Sequence, residues 1–400
     1  MPTFGHSMRE HWVLDPDCTY LNHGTVGAPP RRVLERQQAL RHEMERQPAR
    51  FMLRELAEHQ VAPWRSESRI REAARSVAGF LGSRSEDLVF VPNATTGLNA
   101  VLGSIPLVPG DEVVMPDLAY GAIALAAGFT TRERGATLRI VETPYPVRDP
   151  DDILSAIVSA LTPRTRLAVV DHVTALTALV LPVEAIVAAC HARGVPVLID
   201  GAHAPGSLAV DIPRIGADWY VANLHKWAHA PRACGVLWAT PDRQQELHHP
   251  VISWGLGQGF REEFEWNGTS DPTACLAAPE GIAILREWGF AGVLSYMHTL
   301  AWEAEGMLTD CWRTTLETPR TMVGAMVTVP LPEAAGSTDG DAAKLRLALL
   351  VDDRIEVQLH AWRGRLWVRV SAQVYNDRTD MARLAEAVSR RLRAGAIRSH

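Results

Sequence analysis

From about residue 64 to residue 239, segments with helical periodicity alternate with short apolar runs. Three of these runs are LVFV at 88–91, EVVMP at 112–116 and PVLID, which ends at Asp200. Strands that are apolar throughout and alternate with helices form mostly parallel sheets covered on both faces. The sequence therefore predicts an α/β fold built on a mostly parallel sheet.

The pattern changes in the last part of the chain. A helical stretch from about Cys275 to Thr315 is followed by the strand-like segments MVTVPL, IEVQLHAW and LWVRVSAQ, by a helix near 341–351 and by the closing helix TDMARLAEAVSRRLRAG. This mixture is typical of a small α+β unit. We therefore expect an N-terminal arm over 1–30, a large α/β domain over 31–289 and a smaller C-terminal α+β domain over 290–400.

Composition narrows the class of partner. The net charge is −6 and no long basic run occurs, which disfavours nucleic-acid binding. No apolar run approaches the roughly 18 residues of a membrane span, and the N-terminus lacks a secretory pattern, so we expect a cytoplasmic protein. The five cysteines are scattered without metal-ligand spacing, so neither disulfides nor a metal site is expected. These features leave a small molecule as the expected ligand.

Lysine is almost absent from the chain. Lys226 and Lys344 are the only two lysines among 40 basic residues, and the others are arginines. Arginine stays protonated and does not form a Schiff base with an aldehyde. Lys344 lies in a helical stretch, where a charged residue is usually a solvated surface group. Lys226 follows a strand in the segment ANLHKW, and is the better candidate for lysine chemistry.

Polar residues collect where the predicted strands end, which is where open parallel sheets bind ligands. In NATTG, Thr95 and Thr96 open a helix whose N-terminus suits a phosphate, although this motif taken alone is more often an ordinary helix cap. In VLIDGAH, Asp200 ends a buried strand and His203 follows it. A buried carboxylate needs a cationic partner, such as a protonated pyridine nitrogen, although an acidic cap or a metal ligand is an alternative.

Several motifs occur in a fixed order: ATTG, Tyr120, DGAH, HKW, SWG at 253–255, NGTSD at 267–271 and RVSAQVYN at 369–376. Together they resemble the class V, fold-type I enzymes that use pyridoxal phosphate (PLP). The opening LNHGTVGAPP and the downstream VSAQVYND look most like the isopenicillin-N-epimerase-like branch. The resemblance runs from about residue 20 to residue 388. It implies a fold-type I architecture and PLP as the cofactor.

The resemblance implies catalytic roles around the cofactor ring. Lys226 would bind PLP covalently, and Asp200 would pair with the ring nitrogen. His203 and Thr174 would contact the ring hydroxyl. Tyr120 matches the position whose aromatic ring stacks on the cofactor.

For the phosphate, the resemblance implies Thr95, Thr96 and His225 as ligands. Asn223 stands where many relatives carry a serine, so an amide would replace a hydroxyl as donor. Thr269 would reach the cofactor phosphate of a second subunit, which implies a homodimer.

For the substrate, the resemblance implies that Arg369 binds the α-carboxylate of an amino acid, with Asn22 and His23 at the entrance. A planar guanidinium suits that bidentate task.

The reaction itself is left open among outcomes at the α-carbon. Cysteine desulfurases of this class use a loop cysteine well after the lysine, and no cysteine follows Cys311 here, so persulfide formation is disfavoured. Epimerisation needs a second acid on the face opposite Lys226, for which Tyr120 and nearby histidines are the candidates. Elimination of a thiol needs no second base. We therefore favour a C–S lyase acting on an S-conjugated cysteine, as in antibiotic-type secondary metabolism, or a related decarboxylation or deamination. An epimerase, and less strongly an aminotransferase or a non-catalytic protein of this fold, remain alternatives.

Overall fold

The computed structural model describes residues 3–57 and 61–393. Its strands are β1 (Thr19–Tyr20), β2 (Leu88–Val91), β3 (Glu112–Pro116), β4 (Thr137–Val141), β5 (Thr165–Asp171), β6 (Val197–Asp200), β7 (Trp219–Asn223), β8 (Gly235–Ala239), β9 (Met326–Pro330), β10 (Ile355–Glu356), β11 (Gln358–Trp362) and β12 (Arg365–Ser371).

The α-helices of the described residues fall before, between and after these strands. They are α1 (His23–Val26), α2 (Arg31–Arg46), α3 (Pro48–Arg50), α4 (Arg69–Phe80), α5 (Ala94–Ser104), α6 (Gly121–Glu133), α7 (Pro150–Ala160), α8 (Val183–His191), α9 (Ile212–Ile215), α10 (Phe260–Glu265), α11 (Thr273–Glu287), α12 (Phe290–Trp312), α13 (Asp339–Asp352) and α14 (Arg378–Arg393). Short 3₁₀ turns occur at His6–His11, Ser85–Asp87, Pro241–Arg243, Arg320–Met322 and Glu333–Ala335, and a π-helical turn occurs at Phe51–Glu55.

A seven-stranded sheet, in the order β2-β8-β7-β6-β5-β3-β4, forms the centre of the large part of the molecule. The five strands from β7 to β4 pair in parallel, whereas β8 runs antiparallel to both of its neighbours. The inner strands β3 and β5 to β8 are almost entirely buried, because helices cover both faces. The predicted α/β fold with a mostly parallel sheet is confirmed.

A second sheet of three antiparallel strands, in the order β11-β12-β9, lies in the C-terminal part. Strand β1 of the N-terminal arm pairs in parallel with β10, so the arm is joined to this C-terminal part. The arm also contributes Met8 and Trp12 to the core of the large sheet. The arm therefore contacts both parts of the molecule.

The helical stretch predicted from Cys275 to Thr315 is two helices, α11 and α12. The break falls at Gly289, whose φ of 79° lies in the left-handed region that favours glycine. Helix α12 buries Val293 and Met297 in the core of the large sheet and Leu308 in the core of the C-terminal sheet. Residue 290, at which the sequence predicts the domain boundary, is the first residue of a helix that contributes side chains to both cores.

Candidate active site

A cavity of about 350 Å³ lies at the carboxyl ends of β5, β6 and β7. This is the edge where parallel sheets of this kind bind ligands. Its walls are Gly24, Thr25, Ala94, Thr95, Tyr120, Asp171, Val173, Ala175, Leu176, Asp200, Ala202, His203, Asn223, His225, Lys226, Gln358 and Arg369. Eight residues predicted from the sequence are among them, namely Thr95, Tyr120, Asp200, His203, Asn223, His225, Lys226 and Arg369.

Lys226 lies in the turn between the antiparallel strands β7 and β8. Its Nζ is 2.9 Å from Nε2 of His203. Burial lowers the pKa of Lys226 from its ordinary 10.5 to about 8, with Arg369 acting in the same direction and Asp200 and Asp171 opposing it. Burial also holds the pKa of His203 well below its ordinary value. A neutral imidazole therefore faces an amine that is partly unprotonated at neutral pH, as a nucleophile for an aldehyde requires.

Two carboxylates lie side by side in the wall of the cavity. Asp200 ends β6 and is in register with Asp171, which ends β5, and each is only 3% exposed. Burial raises the pKa of both, and in Asp171 the negative charge of Asp200 adds to the rise. The Asp200 carboxylate accepts the N–H of Ala202 at 2.9 Å, while the backbone N–H groups of Tyr120 and Ala175 favour the charged form of Asp171. A cationic ring atom placed here would stabilise Asp200 as an anion.

The N-terminus of α5 forms another wall of the cavity. Asn93 caps this helix, and its Oδ1 accepts from both the N–H and the hydroxyl of Thr96, at 2.9 and 3.1 Å. Asn223 Oδ1 accepts the N–H of Ala94 at 2.8 Å, which leaves its Nδ2 as a donor. Thr95 lines the cavity at the same helix end. The combination of donors and helix dipole fits an anion.

His225 borders this helix end from the neighbouring turn. Its Nδ1 donates to the carbonyl of Cys234 at 2.8 Å, because a carbonyl oxygen can only accept. The ring is thereby oriented, and Nε2 remains for a ligand. Burial lowers the pKa of His225, and a bound dianion would raise it again.

Arg369 on β12 also lines the cavity and is 5% exposed. Its Nη1 donates to the carbonyl of Ala175 and its Nη2 donates to the hydroxyl of Thr25 at 2.6 Å, while its Nε is buried without a partner. Burial lowers its pKa to about 10, which leaves it a cation at neutral pH. A buried cation with an unused donor fits a carboxylate ligand.

Five predicted site residues do not line the cavity. The hydroxyl of Thr96 donates to Asn93, the residue that caps its helix. Thr174 is buried in a turn, where its hydroxyl is 2.7 Å from that of Thr177 and accepts the N–H of Leu179 at 2.8 Å. Thr269 is exposed on a loop. Asn22 donates to Glu356 at 2.7 Å, and His23 is fully buried behind the turn that carries Lys226.

Three polar residues in the cavity were not predicted. Asp171 ends an apolar strand as Asp200 does, so the rule that ligands bind beyond strand ends could have found it. Gln358 lies directly opposite Arg369 in the β11–β12 register, which requires knowledge of strand pairing. Thr25 lies in a four-residue helix that gives no periodic signal.

The residues around the cavity fit PLP. The cofactor needs an amine for its aldehyde, a carboxylate for its ring nitrogen and donors for its phosphate, and Lys226, Asp200 and the N-terminus of α5 supply these in one cavity. Nδ1 of His203 is also buried without a partner, so a polar ligand group would satisfy an orphaned atom.

Comparisons with known proteins agree with this arrangement. The family described as Aminotransferase class-V matches residues 20–384. The chain is 32% identical to isopenicillin N epimerase of Streptomyces clavuligerus, over 95% of this chain and 96% of that protein. It is 31% identical to L-cysteine desulfhydrase of Arabidopsis thaliana, over 92% of this chain and 87% of that protein.

The fold is also found among solved structures. The complex of the cystine C–S lyase C-DES with its reaction product cysteine persulfide superposes with a TM-score of 0.77 at 21% identity, over 94% of this chain and 98% of that one. The resemblance seen in the sequence motifs is confirmed, and with it PLP as the cofactor and an enzymatic function. The chain belongs to the class V aminotransferase family of PLP-dependent enzymes.

Proposed function

We propose that the protein is a C–S lyase that eliminates a thiol from the β-carbon of a cysteine-type substrate. The observation that carries the proposal is the content of the cavity: one amine, one buried guanidinium with a free donor and, among the described residues, no cysteine thiol. Elimination needs a base at the α-carbon and a leaving group but no protein thiol. The similarity to an L-cysteine desulfhydrase supports the same chemistry.

Each residue has a role in this proposal. PLP, when bound, supplies an electron sink for the α-carbon. Arg369 binds the substrate carboxylate through its unpartnered Nε side, and Lys226 holds and moves the α-proton at Nζ. Asp200 keeps the cofactor ring nitrogen protonated, and His203 orients Nζ and the ring hydroxyl. The Cα–H and Cβ–S bonds break, one water is consumed, and the products are a thiol, pyruvate and ammonia.

Epimerisation is the second candidate, and Tyr120 is the observation in its favour. Tyr120 lines the cavity and is 46% exposed, so its phenol is a candidate for the second acid that epimerisation needs. The similarity to isopenicillin N epimerase supports this alternative. Elimination requires no acid at that position. Removing the phenol should therefore abolish epimerisation but leave elimination intact.

The test incubates the PLP-loaded enzyme with L-cysteine, S-substituted cysteines and isopenicillin-like peptides in deuterated water. We expect the enzyme to release thiol and pyruvate, and we expect this release to persist in Tyr120→Phe, which keeps the aromatic ring. Lys226→Ala is the matched inactive control. The contrary result would be deuterium at an inverted α-carbon, without release of thiol, pyruvate or carbon dioxide, and loss of this deuterium incorporation in Tyr120→Phe. That result would exclude the lyase and favour the epimerase.

We also propose that the active enzyme is a homodimer in which Thr269 reaches the phosphate of the other subunit's cofactor. Thr269 is exposed, and its loop is tied to the preceding segment by Asn267, whose Nδ2 donates to His249 at 2.7 Å. Four apolar side chains of that segment are more than half exposed: Val251, Ile252, Trp254 and Leu256. Apolar surface of this kind commonly marks a protein interface.

Light scattering should give a dimer mass for the wild type. Leu256→Arg should shift the protein toward monomer and weaken PLP binding, whereas Leu347→Arg should change neither. Leu347 is a matched control because it is similarly exposed but lies on α13 of the C-terminal part. A fully active monomer would contradict the proposal.

A further inference from the structure

His23, in the arm segment 22–27, binds the backbone of the residue that carries the catalytic amine. Its Nε2 is 2.9 Å from the carbonyl oxygen of Lys226, and its Nδ1 is 2.9 Å from the hydroxyl of Tyr375. A carbonyl can only accept, so Nε2–H donates and Nδ1 accepts from the tyrosine. Burial lowers the pKa of His23 to about 4, which keeps the ring neutral with one donor and one acceptor.

The end of the arm segment lies directly against the same turn. Gly27 has a φ of 69°, and a Cβ placed on it would lie 1.8 Å from the carbonyl oxygen of His225 and 3.1 Å from Cα of Lys226. Arg232, in the same turn, donates to the carbonyl of Gly27 at 3.2 Å. The segment therefore contacts the backbone of the lysine turn at two points, through His23 at the carbonyl of Lys226 and through Gly27 at the carbonyl of His225.

The middle of the arm segment binds Arg369, which also lines the cavity. Arg369 donates to the Thr25 hydroxyl at 2.6 Å, the hydroxyl donates to Oδ1 of Asn22, and Asn22 Nδ2 donates to Glu356 at 2.7 Å. Each group donates onward, from a cation to a carboxylate. Hydrogen bonds arranged in one direction reinforce one another.

We propose that the arm segment sets the distance between the amine site at Lys226 and the carboxylate site at Arg369, with His23 and Thr25 as positioning residues. An α-amino acid carries both groups on one carbon, so a fixed distance selects it over a β-amino acid, whose groups are one carbon further apart. This inference rests on the proposed roles of Lys226 and Arg369. It assigns His23 a place behind the lysine turn instead of at the substrate entrance.

Thr25 is tested through ligand affinity. The probes are L-alanine and β-alanine, whose binding to the PLP-loaded enzyme is followed by the absorbance of the bound cofactor. Thr25→Val should weaken L-alanine binding about tenfold, the loss typical of one charge-assisted hydrogen bond, and should reduce the preference for L-alanine over β-alanine. PLP affinity should be unchanged, and Thr25→Ser should restore the wild-type preference. Thr137→Val, the same substitution at an exposed position on β4, is the control.

His23 is tested through cofactor capture. His23→Leu should slow the reaction of PLP with the cofactor-free protein, since the carbonyl of Lys226 loses its donor. His23→Gln, which keeps an N–H donor, should recover most of the rate. The melting temperature of the cofactor-free protein separates this effect from unfolding. If His23→Leu does not fold, the Thr25 variants still decide the inference.

The outcomes separate this inference from the proposed function. If wild-type protein does not attach PLP at Lys226, or if Arg369→Lys leaves L-alanine binding intact, the proposed site roles fail. If the site roles of Lys226 and Arg369 are both upheld while Thr25→Val keeps the wild-type preference for L-alanine, the arm segment does not set the distance and the inference is overturned. If His23→Gln slows PLP capture as much as His23→Leu does, His23 is likewise not a positioning residue.

Discussion

Replacing Arg369 with lysine keeps the positive charge at the carboxylate site but removes the planar set of donors. The guanidinium is held by the carbonyl of Ala175 and the hydroxyl of Thr25, and it leaves Nε for a ligand. A lysine ammonium lacks this fixed planar geometry. We expect it to lose at least one charge-assisted hydrogen bond to the substrate, about 1.5–3 kcal/mol.

That free energy corresponds to a rise in the KM of the amino-acid substrate of roughly 10- to 150-fold. Steady-state kinetics on an S-substituted cysteine would measure KM and kcat, and fluorescence titration of the cofactor-free protein would measure PLP affinity. PLP affinity should change little, because the hydrogen bonds of Arg369 go to Ala175 and Thr25 and not to the N-terminus of α5. Equal losses of PLP and substrate binding would refute the reasoning and make Arg369 a structural residue.

Three further predictions concern the lysine turn. Borohydride reduction of the PLP-loaded protein followed by peptide mapping should place the cofactor on Lys226, and Lys226→Ala should abolish the adduct; an adduct at Lys344 would overturn the assignment. Because the pKa of Lys226 is lowered to about 8, the neutral amine accumulates as pH rises, so the rate of PLP capture should increase through pH 8 and level off above it; a rate still climbing beyond pH 10 would indicate an unshifted lysine. Gly27→Ala should lower the melting temperature by at least about 1–3 °C, since alanine at the φ of 69° and ψ of 165° of Gly27 costs about 1–3 kcal/mol before the clash with His225 is counted; an unchanged melting curve would show that the contact is loose.

The sequence predicts this cavity well wherever a residue follows a strand. Asp200, Lys226 and Thr95 each stand at the carboxyl end of an apolar run, and the parallel sheet brings those ends together. Thr174 illustrates the limit, because whether a hydroxyl faces a cavity or its own turn depends on local backbone geometry. Gln358 and Thr25 depend on pairing between distant segments, which periodicity does not reveal. The break at Gly289 depends on a single residue inside an otherwise continuous helical pattern.

The pairing of β1 with β10 has a consequence for how the enzyme is made. Thr25 leaves the ribosome 344 residues before Arg369, which binds it, and β1 likewise precedes its partner strand β10 by most of that length. Contacts between segments so far apart in sequence form late, because closing a long loop must precede any gain from the contact. The carboxylate site at Arg369 should therefore be completed late in folding, after the large sheet has formed.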